Sequence, residues 1–210
     1  MDKIIITINR ECGSGGREIA YLLGEKLGLK VYDRTILDCI AEQFDMDVEK
    51  IERVKAQKAN WWSDFCRFYQ QFGAASHAPS IQLEATPLSV YYAEARLLRE
   101  LAEQESCIII GRAGFHVFRD NPDAVHLLLI ANRKSRIARI MKKQNLTSEE
   151  AEKIIDMVDR NRDTFVKTVA NTSRYDARNY DLVLNVSGMQ PEIVASFLAE
   201  NIHHKLEIKK

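Results

Sequence analysis

One turn near the amino end constrains this chain more than any other feature. Residues 4–18 read IIITINRECGSGGRE. Residues 4–8 form a continuous apolar run, the pattern of a strand covered on both faces of a sheet. The run ends at Asn9, and Gly13-Ser14-Gly15-Gly16 follows. A helix then begins near Arg17, with Ile19, Leu22, Leu23 and Leu27 on one face. Glycine lets backbone N–H groups converge on an anion without Cβ clashes, and a helix N-terminus adds unbonded donors and partial positive charge. The turn therefore points to a phosphorylated ligand; read alone, it equally fits a glycine turn that binds nothing. The standard phosphate loop is G-x-x-x-x-G-K-[ST]. In that frame Arg10 stands at the first glycine, Gly16 at the lysine and Glu18 near the hydroxyl, which leaves Arg17 as the cation at the helix start.

Apolar strands and helical patterns alternate along the rest of the chain. Val31-Tyr32 reads as a short second strand, followed by Asp33-Arg34. Residues 35–44 read as helix, and 47–72 as one or two helices crowded with Trp61, Trp62, Phe65, Phe68, Tyr69 and Phe72. Residues 73–86 break the pattern with small side chains. Thr86 then caps a helix with Pro87 in its first turn, running to about Gln104 with Ala95, Leu98, Leu101 and Ala102 inward. Strands are expected at 107–110, ending at Gly111-Arg112, at 126–131 and at 181–186. Helices are expected at 132–143, after a Thr147/Glu150 capping box, and at 191–205. This alternation predicts an α/β fold of three layers, a parallel sheet with helices on both faces. Ligands in such sheets gather at the carboxyl ends of strands, so the glycine turn, Asp33-Arg34 and Gly111-Arg112 are expected along one rim.

The 210 residues suffice for one domain with a full core, and residues 47–104 read as a helical insertion in it. Formal net charge is zero, which argues against a large nucleic-acid-binding surface. No apolar stretch approaches the roughly 20 residues that span a bilayer, and no export signal is seen, so a cytoplasmic protein is expected. Cys12, Cys39, Cys66 and Cys107 make no C-x-x-C pair and read as reduced thiols. Cys12 lies near a helix N-terminus, which lowers a thiol pKa; the preferred reading is a small residue filling the turn.

Arginine supplies the second signal. Arg133, Arg136, Arg139, Arg160, Arg162, Arg174 and Arg178 fall within 46 residues of a chain with zero net charge. Arginine binds phosphate oxygens through a planar fork of donors. The plainer reading is a solvated helix face balanced by Glu149, Glu150, Glu152, Asp156 and Asp159. Phosphoryl transfer also needs a carboxylate to orient the acceptor or magnesium. Asp33 is the first candidate, with helix capping as its alternative role; Asp159 is the second, with an ion pair to Arg160 or Arg162 as its alternative.

The segments ITINRECGSGGREIAYLLGEKLG, VYDRTIL, CIIIGRAG, the arginine-bearing helix after HLLLIA, DRNR and YDLVLNVS occur in this order. In this the chain resembles the cytidylate-kinase-like proteins, relatives of nucleoside monophosphate kinases within the phosphate-loop NTPase superfamily. The resemblance runs from Lys3 to about Phe197 and is weakest across residues 60–85. It implies a five-stranded parallel core and a phosphate loop of Gly13, Ser14, Gly15, Gly16, Arg17 and Glu18. It also implies an acceptor region within 47–104 and a lid within 132–178 that carries Arg133, Arg136 and Asp159. ATP with Mg2+ is the implied donor, and a nucleoside monophosphate, CMP among them, the implied acceptor. Arg112 matches an acceptor-binding arginine of the family. Asp33 matches an acceptor-region aspartate, although Arg34 departs from the residues that follow it there. Asp159, Arg160 and Arg162 resemble the lid's aspartate-and-arginine segment. Gly16 departs from the lysine that bridges donor phosphates; Arg17 or a lid arginine is the expected stand-in. The roles expected to be catalytic thus fall to Arg17, Asp33, Arg160 and Arg162, and no residue is assigned to a metal. The partners are small nucleotides rather than nucleic acid or membrane, and a homodimer stays open. Two other readings stay open as well: a protein that binds a phosphorylated ligand without transfer, and a kinase of another small metabolite. In the latter the aromatic residues 61–72 line the acceptor pocket, with core packing or a subunit interface as their alternative.

Overall fold

Every strand in the described part of the chain grows from an apolar run read in the sequence. The structure is a computed structural model and describes residues 3–33 and 87–208. In chain order these form β1 (Ile5–Arg10), α1 (Gly16–Leu27), β2 (Lys30–Tyr32), α2 (Pro87–Gln104), β3 (Cys107–Ile110) and α3 (Gly114–Val117). There follow β4 (Ala124–Ile130), α4 (Arg133–Gln144), α5 (Ser148–Ala170), a 3-10 turn (Ala177–Asn179), β5 (Leu182–Asn185) and α6 (Pro191–Ile208). The five strands make one parallel sheet in the order β2-β3-β1-β4-β5, with Ile5 opposite both Cys107 and Ala124. β2 and β3 lie to one side of β1, β4 and β5 to the other. The order therefore reverses at β1, and a ligand crevice opens outside the carboxyl end of a strand at such a reversal.

Alternation along the strands sorts the two faces. Ile6 and Ile8 of β1, Ile108 and Ile110 of β3, and Val125, Leu127 and Leu129 of β4 turn to one face. There they meet Ile19, Ala20 and Leu23 of α1 and Val194, Ala195, Leu198 and Ile202 of α6. The opposite face is more polar. Thr7 Oγ1 lies 2.8 Å from His126 Nδ1, and Asn9 donates to the Tyr180 hydroxyl at 2.7 Å. Phe115 of α3 covers this face and places its ring 5.2 Å from that of Tyr180. The Thr147/Glu150 box forms as expected and starts α5, and Asn132 caps α4 by accepting from the Ser135 N–H.

The chain divides into two compact units, Met1–Val31 with Arg99–Lys210, and Tyr32–Leu98. The first holds the glycine turn and α3 to α6. In the second, Asp33, Tyr91, Glu94, Ala95 and Leu98 are buried while Tyr92 is exposed. The second unit takes in most of the expected insertion. The helices expected at 35–44 and 47–72, the aromatic stretch, the break at 73–86, Arg34, Cys39 and Cys66 lie outside the described residues. Among the described residues, no helix is long and apolar enough to cross a membrane.

Candidate active site

β1 ends at Arg10, and α1 begins at Gly16 after five intervening residues. Gly13 and Gly15 both take the left-handed backbone, with φ of +80° and +83°. A Cβ on Gly13 would lie 2.8 Å from the Arg136 carbonyl oxygen, and one on Gly15 would lie 1.5 Å from Arg139 Nη1. Glycine is thus favoured at both positions by the backbone angle, and at Gly13 also by space, because the atom it faces is backbone. Ser14 is buried and closes the turn on itself. Its N–H and its hydroxyl donate to the Glu11 carbonyl at 3.3 and 3.0 Å, and its Oγ accepts from the Gly16 N–H at 3.3 Å. Gly15 caps α1 without a side-chain bond. The amides of the first helical turn therefore have no intrahelical acceptor, and the positive end of the helix lies at the turn.

Four guanidinium groups from α4, α5 and the segment after α5 close around this turn. Arg136 is buried; its Nε donates to the Cys12 carbonyl at 2.8 Å, and its Nη1 pairs with Glu11 at 3.0 Å. Arg139 Nη1 donates to the Ser14 carbonyl at 3.2 Å. Arg162 and Arg174 both donate to the Arg10 carbonyl, at 3.2 and 3.3 Å. Asp159 sits at the centre. Its Oδ1 accepts from the Cys12 N–H at 2.9 Å and from Arg174 at 3.0 Å, its Oδ2 accepts from Arg136, and Arg162 lies 3.6 Å away. Glu11 accepts from the Ala131 N–H at 2.8 Å and so ties the turn to the end of β4.

Burial governs the electrostatics. It pushes the Arg162 pKa down, and the nearby Asp159 offsets this only in part. Burial opposes the Arg174 charge too, but Tyr175, Asp159 and Asp163 outweigh it and raise that pKa. Arg174 Nε lies 2.5 Å from Asp163 in an ion pair whose angle makes no hydrogen bond. The Cys12 thiol is pushed up, chiefly by burial, so Cys12 fills the turn as a protonated side chain.

The remaining expected residues are spread more widely. Arg112 follows Gly111 with φ of +54°, and its guanidinium lies 5.2 Å from the Phe165 ring centre on α5. Arg17 is exposed and lies 5.8 Å over the Tyr21 ring, one turn along α1; Glu18 beside it is exposed. Arg133 stands on a solvated face, paired with Asp156 at 2.6 Å and Glu152 at 3.2 Å, and Arg160 is exposed. Asp33 is buried in the second unit, and Arg34 lies outside the described residues. Four residues at the turn were not in the expected site: Arg10, Glu11, Arg139 and Arg174. Arg139 was signalled by its spacing of three from Arg136, and Arg10 by its mismatch with the first loop glycine.

A parallel sheet in this order, a glycine turn off its central strand and arginines folded onto that turn define a phosphate-loop kinase type of fold. The model of the cytidylate kinase-like family matches residues 5–188. A cytidylate kinase of Methanopyrus kandleri is 28% identical over 213 residues, covering 97% of this chain and 95% of that protein. An uncharacterized protein from Eubacterium ventriosum has a similar solved structure, with a TM-score of 0.71 at 20% identity over 97% of this chain and 99% of that one. Shikimate kinase from Bacteroides thetaiotaomicron gives a TM-score of 0.51 at 13% identity over 95% and 98%. The chain belongs to the cytidylate kinase-like family.

The donor set suits a polyphosphate: helix-end amides and guanidinium groups held at the turn. Among the described residues no group of three or more His, Cys, Asp or Glu is placed to hold a metal ion. Magnesium in kinases is held largely by substrate phosphates and waters with one or two carboxylates.

Proposed function

We propose that this protein transfers the terminal phosphoryl group of ATP to a nucleoside monophosphate, CMP being the first acceptor to test. The observation that carries the reading is the convergence of Arg136, Arg139 and Arg162 on the glycine turn. Phosphoryl transfer asks little covalent work of a protein; it needs two phosphates in line and their mutual repulsion cancelled. When bound, magnesium would screen the phosphate charges. The helix-end amides of Arg17 and Glu18 would hold donor oxygens. Arg139 and Arg162 would face the phosphates, with the exposed Arg160 in the same segment, and Arg112 would hold the acceptor phosphate. An acceptor role for Asp33 rests on its place after the second strand and on the resemblance, and one for Arg34 on its place beside Asp33.

A second reading, binding without transfer, is favoured by one observation: glycine stands at residue 16, where the standard loop has lysine. A coupled assay over nucleoside monophosphates with ATP and Mg2+ separates the two. Turnover supports the kinase, whereas a rise in melting temperature with ligand but no turnover supports the binder. In the active protein, Arg112→Ala is expected to raise KM for the monophosphate by about tenfold or more and leave KM for ATP within about threefold. Equal losses for both substrates would remove Arg112 from the acceptor site.

A further inference from the structure

We infer that Arg10 supplies the cation that the loop lysine supplies in the standard pattern, so that the charge has moved across the loop rather than been lost. The inference rests on the phosphoryl-transfer reading above and names a residue for its donor site. In the standard loop the first position is glycine and the later one lysine; here those positions hold Arg10 and Gly16. The structure shows why the two changes go together. A Cβ on Gly16 would lie 2.7 Å from the Arg10 Cβ and 3.0 Å from its Cγ. The Arg10 Cβ is fixed by the backbone at the end of β1 and cannot swing aside as a side-chain tip can. A side chain at residue 10 and one at residue 16 therefore exclude each other.

The Arg10 stem crosses Gly16, and its guanidinium reaches the end of β3. A Cβ on Gly111 would lie 2.3 Å from Arg10 Nη1, which locates the charge beside that glycine. The guanidinium thus stands between the start of α1 and the residue that precedes Arg112. The Arg10 backbone is pinned: its N–H donates to Asn9 Oδ1 at 2.9 Å, and its carbonyl accepts from Arg162 and Arg174. The residue is half-buried. Arg17 is the competing cation, but it lies along α1 over Tyr21.

A planar guanidinium at that point meets the oxygens of the phosphoryl group in transfer. The bond from the γ-phosphorus to the bridging oxygen of the ADP leaving group breaks as one to the ionised acceptor oxygen forms. Arg10 gains and loses no proton; it stabilises the shared charge.

The test measures affinity and turnover in the full-length protein. Affinities for a non-hydrolysable ATP analogue and for ADP, each with Mg2+, are read by calorimetry. Arg10→Ala is expected to lose about tenfold in affinity for the analogue relative to ADP, and about 10²–10³-fold in kcat. Arg10→Lys is expected to keep more of both. Arg10→Gly combined with Gly16→Lys rebuilds the standard loop and is expected to recover what Arg10→Gly alone loses. Gly16→Ala is expected to lower the melting temperature in the wild type but not in an Arg10→Gly background, which reads the steric exclusion without reference to activity. If Arg10→Ala matches the wild type in analogue affinity and kcat, the inference is overturned and the transfer reading stands. A wild type that turns over no monophosphate sinks the transfer reading instead, and the affinity arm still decides whether Arg10 holds the terminal phosphate.

Discussion

Cys107 opens β3 with no exposure to solvent, and that burial, with a smaller contribution from Glu105, pushes its thiol pKa from 9.0 up to about 12. Burial likewise raises the Tyr180 hydroxyl from 10.0 to about 12, against the bond from Asn9. Both groups keep their protons longer in the folded chain than in the unfolded one. Their contribution is therefore complete below about pH 9 and is lost as pH rises toward 12, because the unfolded state releases protons the folded state retains. Each group can weaken folding by at most about 1.4 kcal/mol per pH unit in that window. Urea denaturation at pH 8, 9, 10 and 11 should show stability falling, with a shallower fall in Cys107→Ala than in the wild type. Equal slopes would mean that Cys107 ionises as freely folded as unfolded. Cys12 makes the same point about legibility. Sequence position offered it a helix end that lowers a thiol pKa, but the enclosure that raises it comes from α4 and α5 packing on the turn. Neighbours distant in sequence settled that contest, and hydropathy alone does not show them.

At the scale of elements, much of the described fold was legible because parallel strands buried on both faces read as unbroken apolar runs. β3 spans Cys107–Ile110 as expected, and the α5 capping box forms from Thr147 and Glu150. The errors at strand ends have a cause. β1 runs on to Arg10 because its backbone pairs with Leu129, and a ladder bond carries no hydropathic signature. The short α3 was missed for want of length: Gly114–Val117 completes barely one turn, too little for a period to show. α1 holds a subtler feature in Gly24. Alanine in a helix interior is usually better than glycine by about 0.5–1 kcal/mol. Here a Cβ would lie 2.5 Å from Val31 Cγ2 and 2.9 Å from the Leu29 carbonyl oxygen, and the latter is backbone that cannot rotate away. Overpacking of this kind costs about 1–3 kcal/mol, so it outweighs the propensity gain. Gly24→Ala is expected to destabilise by roughly 1 kcal/mol or more in chemical denaturation. A variant at least as stable as the wild type would show that β2 yields to α1 at little cost.

At the scale of the molecule, the candidate site is a problem of assembly, and there the sequence was only partly readable. Arg133, Arg136 and Arg139 share one helix, and spacing alone does not say which of them faces the glycine turn. The structure separates them by where α5 lies: Arg133 pairs with Asp156 and Glu152 on the solvated side, Arg136 is buried against Cys12, Glu11 and Asp159, and Arg139 covers Gly15. Asp159 is the junction of that assembly, because one carboxylate holds the Cys12 amide and gathers guanidinium groups from three segments. Removing it would leave Arg136 and Arg174 buried without their shared partner. Breaking a buried pair on one side costs about 3–5 kcal/mol, whereas an exposed pair is worth little. Asp159→Ala is therefore expected to destabilise by about 3 kcal/mol or more in urea denaturation. Arg133→Ala, which removes only exposed pairs, should leave the transition where it is. A polyphosphate bound at the turn would place negative charge beside the same arginines. Inorganic triphosphate should thus raise the melting temperature of Asp159→Ala more than that of the wild type. If it raises both equally, Asp159 holds the turn for stability alone, and the phosphates do not meet the arginines that this carboxylate gathers.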